Sequence, residues 1–193
     1  MDEIQIGVSS WIIQDGNYGD FRIGDHRKFA LEFGEEVIKK GQVGVREYKR
    51  IKASTYRINA EIILAAEGLW IIDFGYKAFR ENNPPEGICT GEWIEAEIYL
   101  GIDPFFYFEN IHGSKGVPNL FYEWEIKRIE LETTPLIEVK PKWFERDASR
   151  EGYKDINETD AWNDDGGHGH YILHCMNLNS QINPADPAQA PGS

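Results

Sequence analysis

Apolar and polar positions alternate at a period of two over most of the chain, and the 3.6-residue period of an amphipathic helix is scarce. Ile4 to Ile13 reads as a first strand. It is followed by Asp15-Gly16-Asn17-Tyr18-Gly19-Asp20, a turn dense in residues that tolerate left-handed backbone. Phe21 to Phe33 forms a second strand region with a bend at Gly24-Asp25, and Val43 to Lys52 a third. Tyr56 to Leu64 alternates cleanly, and Leu69 to Phe74 is an apolar run of the kind buried on both sides. Trp93 to Leu100, Phe105 to Glu109, Leu120 to Glu132, Leu136 to Val139 and His170 to Leu178 supply the rest. Residues 145–167 are polar and read as a long loop with room for one helical turn.

Nine to ten short strands at this spacing predict an all-β or β-dominated fold, an antiparallel sandwich or barrel with few helices. A single domain is expected over residues 1–178. From 179 to 193 the chain offers too little apolar surface to offset its ordering entropy, so a flexible, disordered tail is expected there. Ile58 to Leu64 echoes Ile94 to Leu100 at five of seven places, which falls short of the copy number that a repeat fold needs.

Charge changes the picture more than composition does. The 193 residues carry a formal net charge of −13, and it is unevenly placed. Residues 1–57 are near neutral at +1, with a local excess of +6 over 39–57, whereas 58–193 hold −14. A body of that sign repels nucleic-acid backbones and anionic lipid, and it attracts basic partners. Nucleic acid and membranes are therefore set aside as partners, and a basic protein partner is expected. The candidate docking surface is the acidic stretch that contains Asp155, Glu158, Asp160, Asp164 and Asp165. The leading expectation is a non-catalytic, acidic binding protein of the immunity or antidote kind, built to neutralise a cationic partner. Residues Met1 to Ile6 lack the basic and apolar blocks of a secretory signal, and no run approaches the roughly eighteen apolar residues of a membrane span. A cytoplasmic setting is expected. Cys89 and Cys175 read as buried free thiols.

Three groups of residues remain as candidate chemistry. Over 168–176 a strand would place His168 and His170 on one face, where a His-x-His pair with a nearby carboxylate suits a divalent transition metal. His174 lies about 13 Å beyond His170 at ~3.3 Å per residue and cannot join them without a bend. Otherwise no cofactor is expected, and the plain alternative is a glycine-rich turn leading into an edge strand. On the third strand Arg46, Tyr48, Arg50 and Lys52 share a face, as a stacking platform for single-stranded nucleic acid would, though a charged edge strand looks the same. Exposed aromatics could bind carbohydrate; Trp143 and Trp162 sit in polar surroundings, whereas Trp11, Trp70, Trp93 and Trp124 fall in strand patterns and are expected in the core.

Nucleophile elbow, P-loop and dinucleotide glycine motifs are absent from the sequence. Asp73 and Asp103 are the acids expected to have raised pKa values, with nothing to pair them. Catalysis is the minority reading.

Overall fold

The computed structural model of the chain describes residues 3–140 and 143–179. The described residues form thirteen strands: β1 (Glu3–Ser9), β2 (His26–Phe29), β3 (Leu31–Lys40), β4 (Glu47–Lys52), β5 (Thr55–Ala66), β6 (Leu69–Asp73), β7 (Lys77–Arg80), β8 (Trp93–Ile102), β9 (Tyr122–Glu132), β10 (Leu136–Lys140), β11 (Trp143–Arg146), β12 (Tyr153–Ile156) and β13 (His170–Asn177). The fold is all-β, as expected, with a closed five-stranded barrel and further strands added to it. The tail expected over 179–193 lies outside the described residues from 180 onward. Among the described residues, no helix is long and apolar enough to cross a membrane.

The barrel runs β3-β8-β5-β6-β7 and closes where β7 returns to β3. Closure is parallel, through Leu31 beside Ala78 and Glu32 beside Phe79, so the sheet is not antiparallel throughout. Strand β8 is the hub. It pairs along one edge with β3 and along the other with β5, while β1 joins it in parallel at Gly7 and Gly101. From β1 the sheet continues through β13 and β9 as a wing. Strands β2 and β12 share the outer edge of β9, one at each end. The two echoing segments are neighbours, with Ile58 opposite Ala96 and Ala60 opposite Ile94.

The main core fills the barrel and continues beneath the wing, with Ile4, Ile6, Tyr56, Ile98, Trp70 and Trp124 all buried. Strand β6 is apolar from Leu69 to Ile72 because its two faces meet different cores. Trp70 and Ile72 point into the main one, and Leu69 and Ile71 into a smaller one with Phe79, Tyr107, Ile111 and Leu120.

Several elements differ from the alternation pattern. The run from Ile4 does not stay extended to Ile13: Ser10–Gln14 turns into a short helix, α1, which lifts Trp11 into solvent at 55% exposure instead of into the core. Phe105 to Glu109 is not a strand either. A wide helical turn covers Tyr107–Ile111 because the buried Asp103 carboxylate accepts the N–H groups of Tyr107 and Phe108, giving that turn a side-chain cap. Within 145–167 the polar stretch hides β12. Cys175 is buried as expected, but Cys89 lies exposed on a glycine-rich loop.

Candidate functional site

The ends of β1 and β9 and the start of β13 meet at one margin of the wing, where Ser9 stands opposite His170 and Tyr171 opposite Leu131. An open cleft of about 530 Å³ lies there, lined by α1 with Trp11 and Gln14, by the Gly167–Gly169 loop, and by Glu132, Arg146, His168 and His170. That volume lies within the range typical of small-ligand sites.

Hydrogen bonds hold the rim in place. Ser10 N–H donates to Gly169 O at 2.8 Å, Ser10 Oγ to Gly167 O at 2.8 Å, and Gln14 Nε2 to Gly167 O at 3.0 Å. The floor is a chain of polar groups. Tyr99 Oη lies 2.8 Å from His170 Nε2, and His170 Nδ1 lies 3.3 Å from Glu132 Oε2. Burial pushes the Tyr99 hydroxyl up to about 12, further than the neighbouring Ser54 hydroxyl holds it down, so Tyr99 stays a phenol. The two ring nitrogens of His170 face the Tyr99 hydroxyl on one side and the Glu132 carboxylate on the other. Burial also pushes Glu132 up, but His170, Thr134 and Arg146 together outweigh it and hold the carboxyl below its usual range. Glu132 is ionised at neutral pH.

Gly7 makes room for this arrangement. A Cβ there would lie 1.7 Å from Tyr99 Oη, so any larger residue expels the hydroxyl that orients His170. Arg146 ties the cleft to its surroundings: its guanidinium lies 3.4 Å from Glu132 and 2.8 Å from Asp165, and donates to Thr134 O.

His168 and His170 do not share a strand face. Gly166 and Gly167 take positive φ, the chain curls, and β13 begins only at His170. Among the described residues no three His, Cys, Asp or Glu side chains gather to hold a metal ion. The ring nitrogens of His170 face Tyr99 and Glu132, and those of the buried His174 face Glu3 at 2.7 Å and Glu130 at 2.8 Å.

The acidic stretch is woven into the chain's own contacts. Asp155 pairs with Arg128 at 2.6 Å, Glu158 with Arg22 at 2.5 Å and Asp165 with Arg146. Asp160 accepts from Asn163, and Asp164 from the Tyr171 hydroxyl. Asp155 and Glu158 still present much of their side chains to solvent.

On the basic stretch, Tyr48 turns inward against Tyr56, Phe74 and Tyr76. Arg46 pairs with Glu61 and with Asp73, and stacks over Trp93. Asp73 thus has a partner, contrary to expectation. Arg50 and Lys52 lie exposed on the edge strand β4, with Lys52 3.4 Å from Glu151. Asp103 has the raised pKa that was expected: burial outweighs the N–H donors that Tyr107 and Phe108 turn toward it.

Trp11, Tyr99, Glu132 and Arg146 were not singled out from the sequence as site residues. They come from four separate elements, and only the Ser9-Ser10 pair before Trp11, a helix-start signal, hinted at one of them. In comparisons with known proteins, no family model, no curated protein and no solved structure matches the chain.

Proposed function

We propose that the chain is a non-catalytic binding protein whose acidic surface docks a basic protein partner, with the ribbon β10–β11 as the apolar anchor of that interface. The observation that carries this reading is the ribbon itself. Among the described residues it pairs only with itself, apart from the main sheet, and every residue of β10 is exposed. Leu136, Ile137, Val139 and Trp143 are presented to water, Trp143 at 61%. A two-stranded ribbon is marginal in water by itself, and apolar side chains exposed on both of its faces are ones that another molecule can cover. The ribbon and its flanks are balanced, with Glu138, Glu145, Asp147 and Glu151 against Lys140, Lys142, Arg146 and Arg150, and the acidic excess lies elsewhere on a chain that carries −13. The exposed ion pairs at Asp155 and Glu158 contribute little to stability, so both carboxylates can re-pair with a partner's basic groups at small cost.

The test is capture from cells of the native host on the immobilised protein, in parallel with a variant carrying Ile137→Ser and Trp143→Ser. The expected result is a basic protein retained by the wild type and lost by the variant. With that protein purified, its association rate falls about tenfold as NaCl is raised from about 50 to about 500 mM. Capture that is indifferent to the ribbon, or an association rate indifferent to salt, overturns the reading.

A further inference from the structure

We infer that the cleft between α1 and the Glu132–His170 floor binds a neutral, hydroxyl-rich ring, the chemistry of a sugar unit in an oligosaccharide. It is separate from the ribbon interface, and the two stand or fall independently.

Charge narrows the ligand first. An anion entering the cleft meets the Glu132 carboxylate, and a cation meets the Arg146 guanidinium, since both side chains line the same space. An uncharged polyol can use both, giving hydroxyl hydrogens to Glu132 and receiving N–H donors from Arg146 and from His168 on the rim.

The wall narrows it further. Trp11 keeps 55% of its surface exposed at the cleft edge, although its neighbours Ile12 and Ile13 are buried. A bare indole face beside convergent polar groups offers a sugar ring both its apolar face and its hydroxyl edge what each needs. Preorganisation completes the case. Thr134 and Arg146 hold Glu132, and Ser10 and Gln14 pin the opposite rim to Gly167 and Gly169, so little ordering is left for the ligand to impose.

The experiment is isothermal titration of the intact protein with a panel of neutral oligosaccharides, free and attached to a carrier peptide, with free arginine and inorganic phosphate as ionic arms. Saturable binding of at least one neutral glycan is expected. The free and peptide-borne arms separate a soluble saccharide from a glycan on a protein. Trp11→Ala, at an exposed position that the fold does not need, weakens binding by at least about tenfold. Glu132→Gln does the same, whereas Trp162→Ala, exposed but outside the cleft, leaves the affinity unchanged. If Glu132→Gln does not fold, Trp11→Ala alone decides. Failure of every neutral glycan, binding that survives Trp11→Ala, or binding of arginine or phosphate alone overturns the inference.

Discussion

Glu32 sits at the seam that closes the barrel, its backbone beside Phe79 on one side and Gly101 on the other. Burial raises its pKa, the Asp103 carboxylate raises it further, and Arg80 offsets only part, leaving it at about 7 against an ordinary 4.5. The folded state therefore binds this proton more tightly than the unfolded chain does. The stabilisation is complete below about pH 4.5 and is lost as pH rises through about 7. A shift of one unit corresponds to about 1.4 kcal/mol, but the side chain still reaches water, so about 1–2 kcal/mol is expected over that window. Glu32→Gln lacks this dependence. Urea unfolding of both proteins across the window should show the wild type losing ground to the variant as pH rises, then a constant difference above about pH 8. A difference that does not move with pH refutes the assignment. Asp103 was legible as a perturbed acid because its neighbours in sequence are apolar. Glu32 was not, because the groups that perturb it, Asp103 and Arg80, arrive from other parts of the chain.

Strand β9 shows where element-level reading succeeds and where it slips. Strict alternation along Leu120 to Glu132 sets Tyr122, Trp124 and Ile126 on one face, and Trp124 and Ile126 are indeed buried. It then put Ile129 on the opposite face, yet Ile129 and Leu131 face inward as well. The cause is a bulge. His174 on β13 pairs with Arg128 and the next residue, Cys175, with Ile126, so Lys127 is an extra residue that reverses the phase of the rest of the strand. The helix at Ser10 and the wide turn at Tyr107 escaped the pattern for a related reason, since short local hydrogen bonds redirect a chain whose residue types suit a strand. Deleting Lys127 leaves Arg128 alone between Ile126 and Ile129, so unbroken alternation then keeps Ile129 and Leu131 inward and Arg128 and Glu130 outward. The expected cost of the deletion is below about 1.5 kcal/mol in urea unfolding, whereas Ile129→Ala, which empties a buried position, should cost about 2–5 kcal/mol. Equal effects from the two changes would mean that the bulge does not set the phase.

At the scale of the whole molecule, strand content was readable but neighbours were not. Alternation assigns faces, and nothing in it tells that β5 pairs with β8 along its first half and with β6 along its second, or that β7 closes on β3. For the same reason the cleft, built where three distant strand ends converge, had no signature along the chain. Net charge, by contrast, is a property of the molecule that sequence states outright, and it has a consequence for stability. At −13 the compact state holds its acids closer together than the unfolded chain does, and that repulsion opposes folding. Against it stand the ion pairs, among them Arg80 with Glu35 and Arg46 with Asp73, which salt also weakens. The excess of 33 acids over 20 bases leaves repulsion dominant, because at least thirteen negative charges have no cation to answer them. Raising NaCl from about 20 to about 500 mM shortens the screening length from roughly 20 to roughly 4 Å, so the urea midpoint at pH 7.5 should climb. A midpoint that falls instead would show that the ion pairs hold the fold against its own charge, and that the acidic surface is balanced within the molecule and not held in reserve for a partner.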